Sequence, residues 1–573
     1  MATTLPKVPI VIVGLGWMGG IIASELTKAG HKVVALERGK PRKTEDYFMV
    51  HDELRYAQRY ELMQDLSRET VTFRNTEKVR ALPMRSYGSF LMGDGIGGAG
   101  VHWNGQNYRF LPYDFEIYSK TVERYGKNKI PDGMIIQDWG ITYDELEPYF
   151  DKYEKMAGIS GEPEQNPMVG QRSSPFPTPP MKKTPGMKLF EDAARKLGYN
   201  PYVIPSGNLS ETYTNPDGIT RAACQYCAFC ERFGCEYGAK ADPIVTVLPV
   251  AQSTGNLEIR TFSNVTRIIH DGKRASGVVY INTLTGEEFE QPADLVILAS
   301  YVFSNVRLLL LSKLGKPYDP ASGTGVIGRN YAYQITGGNA YGFYDDREFN
   351  LYMGAGALGS CFDDFNGDNF DHSDLNFIHG ANIRFTQTGN RPIASNPTPS
   401  GTPKWGKEFK QMSIKYANRM LVVSIQGANM PWRHHYMDLD PTYKDIYGLP
   451  LLRLTYDFEN QDRELVNFIS TKTEAVMKEM NPTKLETSKA ISNYDIVPYQ
   501  STHNTGGVVM GADPSTSAVN SYLQMWDADN VFVVGASAFP HNSGYNPTGT
   551  IGALAYRASE GILKYLQQGG SLV

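Results

Sequence analysis

A chain of 573 residues is too long for one simple core, so at least two domains or subdomains are expected. Its 41% hydrophobic and 20% charged residues are ordinary for a globular protein, and a formal charge of -5 leaves no basic excess to attract nucleic acid. No run approaches the ~18 apolar residues that a membrane-spanning helix needs, so no direct membrane span is expected.

The N-terminal residues 1–7 enter the first strand almost directly, so no cleavable signal is expected and the chain by itself is expected in the cytoplasm, with export alongside a signal-bearing partner as the alternative. The apolar run 10–13 leads into Gly14-Leu15-Gly16-Trp17-Met18-Gly19-Gly20, a helical segment is expected over 21–29, and a second apolar run, 33–36, ends in Glu37. This is a βαβ unit carrying a dinucleotide-binding fingerprint. Gly14 allows the tight turn, Gly16 lets a pyrophosphate approach the backbone, and Gly19 lets helix and strand pack closely. The phosphates then face free N–H groups at a helix N-terminus, and Glu37 is placed to accept hydrogen bonds from a ribose.

Residues 40–80 are polar and read as helical cover. A second glycine-rich stretch, 88–105, includes Gly97, Gly98, His102 and Asn104 and suggests backbone packed closely against a flat ligand. Residues 138–157 carry a helix start and a helical pattern, and the Pro-rich 160–187 reads as a surface excursion. Strand signals return at 257–262 and 275–281, and 294–299 has the continuous apolar character of a buried parallel strand. Residues 330–460 alternate, as at 420–425 and 451–456, and predict an antiparallel sheet forming the floor of a substrate site, with a loop over 386–410. A last buried strand, 531–535, returns to the nucleotide domain.

Four of the five cysteines fall within twelve residues, as Cys224-x2-Cys227-x2-Cys230-x4-Cys235. By spacing alone three readings stand: an iron–sulfur cluster, a tetrahedral four-thiolate zinc site, or a pair of redox disulfides. Cys361 stands alone and reads as a buried small hydrophobe.

Toward the C-terminus, His503 sits before Gly506-Gly507, the run 530–537 contains Gly535-Ala536, and Gly544-Tyr545-Asn546-Pro547-Thr548-Gly549 follows. With the N-terminal fingerprint, the run 108–115, Asp138-Trp139, the cysteine cluster and the block from Gln500 to Arg557, the sequence resembles the glucose–methanol–choline (GMC) flavin oxidoreductases over nearly its whole length. Within that family it is similar to the flavoprotein and large subunits of sugar and sugar-acid dehydrogenases.

The resemblance implies an α/β fold of GMC architecture with two domains: a Rossmann-like FAD-binding domain and an antiparallel-sheet substrate domain. The first is expected from residues 1–330 and 496–573, with a cover segment at 116–190 and the cysteine insertion at 220–242. The second is expected from 331–495. The dinucleotide becomes FAD, with Val265 on its adenine side and Gly535-Ala536 near the pyrophosphate and ribityl chain. His503 matches the family's catalytic base and Asn546 its partner, with His541 as the nearest rival for the base role. A histidine suits proton abstraction because its unperturbed pKa is near ~6.5. His102 matches a position at which some members bond covalently to the flavin. The cysteine region matches one that holds a three-iron, four-sulfur cluster in related sugar dehydrogenases, bound there by three cysteines.

The implied activity is oxidation of a CH–OH group of a sugar or sugar acid, D-gluconate to its 2-keto product foremost. Fructose, glucose or an inositol is the alternative substrate, and a non-catalytic electron-transfer flavoprotein is the rival from another class. The implied partners are a small signal-bearing subunit and a cytochrome c subunit, or a quinone acceptor. They would hold the chain at the periplasmic face of the inner membrane, with a cytoplasmic location as the alternative.

Overall fold

Strands covered on both faces have no reason to alternate polar and apolar residues, and the unbroken apolar runs of this chain do lie side by side in one sheet. The computed structural model describes residues 2–47, 54, 61–86, 92–389, 397–497 and 501–573. The start of the second glycine-rich stretch (88–91), part of 40–80, the middle of the 386–410 loop and Gln500 lie outside the described residues. Strand β1 (Val8–Val13), helix α1 (Trp17–Lys28) and strand β2 (Val33–Leu36) form the opening βαβ unit, with Val13 paired in parallel to Leu36. The helix begins at Trp17 rather than at residue 21, so the last glycines of the fingerprint are already helical.

The long strand Glu288–Leu298 does two jobs. Its first half pairs antiparallel with Ala275–Asn282, and its second half runs parallel to β1 and to Val531–Val533. In sheet order the strands are Ser263–His270, Ala275–Asn282, Glu288–Leu298, β1, β2 and Leu257–Arg260. The sheet is thus mixed, parallel where helices cover it. A second, six-stranded antiparallel sheet joins Lys484–Thr487, Ala340–Phe343, Met420–Gly427, Ala381–Thr386, Gly359–Phe362 and Tyr202–Val203. The helix Asn460–Glu479 buries Leu465, Val466, Ile469 and Val476 and packs on this sheet.

Between 138 and 157 the expected helix runs Tyr143–Ala157, started by reciprocal Thr142–Glu145 hydrogen bonds and stopped by the left-handed Gly158. Two expectations are corrected. The strand Pro450–Thr455 leaves the substrate sheet and pairs in parallel with Val71–Arg74 in a separate four-stranded sheet. Within 40–80 the described residues are thus not helical cover throughout: they hold a 3-10 helix, Thr44–Tyr47, a helical position at 54, and that strand. The alternation of Val71-Thr72-Phe73-Arg74 is a β signal that the polar average of the segment concealed. No described helix is long and apolar enough to cross a membrane.

Candidate active site

A cavity of about 530 Å³ opens where the first sheet meets the second, and most of the residues singled out from sequence converge on it. Gly14, Gly16 and Glu37 line it from the βαβ unit; Gly98, His102 and Asn104 from the second glycine-rich stretch; Val265 from Ser263–His270; and Gly535, Ala536, His503 and Asn546 from the C-terminal block. Gly19 and Gly97 sit behind the wall. A Cβ on Gly19 would lie 2.0 Å from the Gly14 carbonyl oxygen, whereas one on Gly16 meets nothing within 4 Å and faces open space. Gly14 holds φ +92°, a conformation that disfavours a side chain. At the far end, the Glu37 carboxylate accepts the N–H of Leu15 (3.1 Å) and of Gly39 (3.0 Å). Burial outweighs these bonds and raises its pKa.

The short helix α2 (Ala99–His102) presents His102 to the cavity. Burial first, then the Lys240 and Arg42 charges, push its pKa down to about 3, and its Nε2 is buried without a hydrogen-bond partner. The cysteine loop packs directly behind this helix. The Arg232 N–H donates to the His102 carbonyl (2.8 Å), and the buried Lys240 ammonium donates to the carbonyls of Trp103 (2.6 Å), Cys230 (2.7 Å) and Phe233 (3.0 Å). None of the four clustered cysteines lines the cavity, but Glu231, next to Cys230, does. All five cysteines are free thiols, and Cys361 is fully buried. Burial and the neighbouring sulfurs push Cys224 up to about 12 and Cys227 up to about 11. No three of the cluster's sulfurs lie within 4.8 Å of one another.

His503 closes the 3-10 turn Ser501–His503. Its Nε2 lies 3.1 Å from Asn546 Nδ2, and Asn546 Oδ1 accepts from Arg384 Nη1 at 3.3 Å. The arginine fixes the amide orientation: with Oδ1 committed to the guanidinium, Nδ2 donates, and His503 Nε2 is the acceptor. Burial first, then the Arg384 charge, lower the His503 pKa to about 3, so the imidazole is neutral. Arg384 escaped the sequence analysis; its only signal is a lone arginine inside the apolar strand Ala381–Thr386.

His541 is differently placed. It does not line the cavity; its Nε2 lies 3.0 Å from Asp114 Oδ1, which His379 Nε2 also meets at 2.8 Å. Ser543 Oγ (3.0 Å) and the Leu111 N–H (2.8 Å) donate to the other Asp114 oxygen, and Trp139 Nε1 donates to His541 Nδ1 at 3.4 Å. Burial alone would raise Asp114, but the His379 and His541 contacts override it and hold the carboxyl well below its usual range.

A family model described as GMC oxidoreductase matches residues 137–336, and a second with the same description matches 434–555. The chain belongs to the GMC oxidoreductase family. It is 44% identical over 593 aligned residues, 100% of this chain and 96% of the relative, to the gluconate 2-dehydrogenase flavoprotein of Pantoea cypripedii. It is 24% identical to the fructose dehydrogenase large subunit of Gluconobacter japonicus, covering 98% of each chain. Among solved structures, pyridoxine 4-oxidase from Mesorbium loti shares the fold, with a TM-score of 0.61 at 16% identity over 97% of this chain and 99% of that one.

GMC membership makes the chain an FAD-dependent oxidoreductase acting on CH–OH groups. The cavity fits that cofactor on its own terms: a glycine wall open at Gly16, a buried carboxylate at one end, and the orphaned His102 nitrogen toward the other.

Proposed function

We propose that this GMC enzyme is the flavoprotein subunit of a sugar-acid dehydrogenase oxidising D-gluconate at C2 to 2-keto-D-gluconate. The observation that carries this reading is the His503–Asn546 pair on the wall of the glycine-lined cavity. It occurs in a chain 44% identical from end to end to a gluconate 2-dehydrogenase flavoprotein.

In this reading His503 is the base. The reacting hydroxyl replaces the Asn546 N–H at the neutral His503 Nε2, which takes its proton, and Asn546 Nδ2 donates instead to that oxygen. The carbinol carbon gives up a hydride as the hydroxyl gives up its proton, which leaves a ketone. FAD, when bound, supplies the two-electron acceptor for that hydride. Gly14, Gly16 and Gly19 would hold its pyrophosphate, Glu37 a ribose and Val265 the adenine. Gly535 and Ala536 would contact the ribityl chain, and Gly97, Gly98 and Asn104 the region of the flavin ring. His102, neutral and with a free Nε2, would bond covalently to the flavin. Residues 1–330 with 496–573 would form the cofactor domain and 331–495 the substrate domain.

Cys224, Cys227, Cys230 and Cys235 supply the ligand set for an iron–sulfur cluster of the three-iron, four-sulfur type, with one cysteine spare. Such a cluster would pass electrons on singly. One observation favours it: the loop hydrogen-bonds the helix that bears His102. Iron without zinc in the purified protein is the expected metal analysis; zinc without iron would overturn the cluster. The onward acceptor would be a cytochrome c subunit or quinone. A small signal-bearing subunit would hold the complex at the periplasmic face of the inner membrane. The relatives' own names, flavoprotein and large subunit, support an assembly of several chains.

The test is an anaerobic absorbance spectrum before and after D-gluconate, with D-fructose, D-glucose and myo-inositol alongside. Prompt bleaching of the flavin band by gluconate is expected. Bleaching by a neutral sugar or polyol but not by gluconate would replace the substrate.

A further inference from the structure

Three arginines line the cavity, and two are neutralised by the protein. Arg38 pairs with Glu69 at 3.4 Å, and Arg307 pairs with Glu69 at 3.1 Å and Asp445 at 2.7 Å. Arg384 is different. Its Nη1 donates to two neutral amides, Gln106 Oε1 at 2.6 Å and Asn546 Oδ1 at 3.3 Å, and the neutral Tyr108 hydroxyl is a further hydrogen-bond partner of the guanidinium. Its buried Nε has no hydrogen-bond partner, and among the described residues it makes no ion pair. Glu231, on the same cavity wall, acts on it only through space. Removing a guanidinium from water without a counter-charge is costly. Consistent with that cost, burial lowers the Arg384 pKa.

We propose that Arg384 is the specificity-determining residue that binds the carboxylate of the substrate, and that it restricts oxidation to the hydroxyl on the adjacent carbon. A guanidinium with unspent donors is the side chain best matched to a carboxylate in a dehydrated site. The position follows from short links. Arg384 Nη1 touches Asn546 Oδ1, and Asn546 Nδ2 touches His503 Nε2 at 3.1 Å. One amide group therefore separates the anion-binding donor from the proton acceptor. A substrate spanning that gap carries its carboxylate and reacting hydroxyl on neighbouring carbons, as a 2-hydroxy acid does. A sugar with no carboxylate leaves the charge uncompensated, which gives selection for the acid over the parent sugar.

This inference rests on the sugar-acid reading, and the experiment separates their failures. Holoenzyme kcat/KM is measured for D-gluconate and for D-gluconamide, which has the same carbon chain but no charge. Binding of 2-keto-D-gluconate to the oxidised enzyme is measured by calorimetry. In the wild type, gluconate is expected to be favoured on the order of a hundredfold, the worth of a charge-assisted hydrogen-bond pair. In Arg384→Gln that ratio should fall toward one, and 2-keto-D-gluconate binding should weaken by about the same factor. Arg384→Lys, which keeps the charge and so guards against misfolding, should lower the ratio about tenfold because the planar fork is lost. Equal wild-type use of acid and amide, or an unchanged ratio in either folded variant, overturns the role of Arg384 while leaving gluconate oxidation standing. Reduction by neutral sugars and by no sugar acid overturns the substrate reading, and the inference with it.

Discussion

Two histidine-bearing sites of this molecule are set apart by their hydrogen bonding. In the cluster of Asp114, His379 and His541, the carboxylate takes four donors and both imidazoles are committed at both nitrogens. In the cluster of His503, Asn546 and Arg384, the groups line a cavity and Arg384 Nε is left without a partner. Folding satisfies buried polar groups wherever it can, because each unpaired one costs about 1–3 kcal/mol. The closed cluster therefore reads as a brace joining residues 111–115, 379 and 541–543, and the open one as a place where another molecule completes the hydrogen bonds. His541 is buried and His503 half-buried, both in the C-terminal block, and only the second lines the cavity.

The largest effect that would break this contrast is on stability. Asp114→Ala strips the brace of its acceptor and should cost about 3–5 kcal/mol in denaturant unfolding. The Asp114 pKa is depressed in the fold, so its stabilisation is complete above the unfolded value of ~3.9 and is lost as pH falls through the still lower folded value. Asp114→Asn should accordingly flatten the acid limb of a melting-temperature profile below about pH 4.

Asn546→Ala should behave in the opposite way. Flavin reduction is expected to slow by about a hundredfold, the cost of removing one donor to a reacting oxygen, while unfolding shifts by less than about 1 kcal/mol. Equal damage from both variants to stability and to rate would erase the distinction between brace and site. A smaller effect concerns pH. With the His503 pKa lowered to about 3, the base form persists on acidification, so kcat/KM should stay level from pH 8 down to about 5. An acid limb centred near ~6.5 would mean that His503 titrates as an ordinary exposed histidine. The gentlest test sharpens the cofactor end of the cavity. Acid precipitation of the wild type should leave the yellow colour in the pellet, and His102→Ala should release it to the supernatant. Colour in the wild-type supernatant would sink the covalent bond.

The parts of the fold that could be read in advance are those whose cause is local. The Gly14–Gly19 turn, the strands at 10–13, 33–36 and 294–299 and the helix start within 138–157 each carry their physics within a few residues. The pairing of Val71–Arg74 with Pro450–Thr455 could not be read, because nothing in either strand names a partner more than three hundred residues away. The same holds for the brace, whose three members come from distant segments. His503 and Asn546 were legible through family resemblance rather than through periodicity. Arg384 was not legible at all: an arginine in a strand reads as solvent-facing until the neighbouring wall, here Gln106 and Asn546, is known.

The most direct test of the central claim, that a neutral His503 takes the substrate proton at this cavity, is anaerobic stopped-flow reduction of the flavin by D-gluconate in the wild type and in His503→Ala, at matched flavin content. The variant is expected to keep its FAD and its melting temperature, while the reduction rate falls by about a thousandfold, within the range for removal of a general base. Reduction of the variant at or near the wild-type rate would contradict that claim and would move the proton acceptor away from His503.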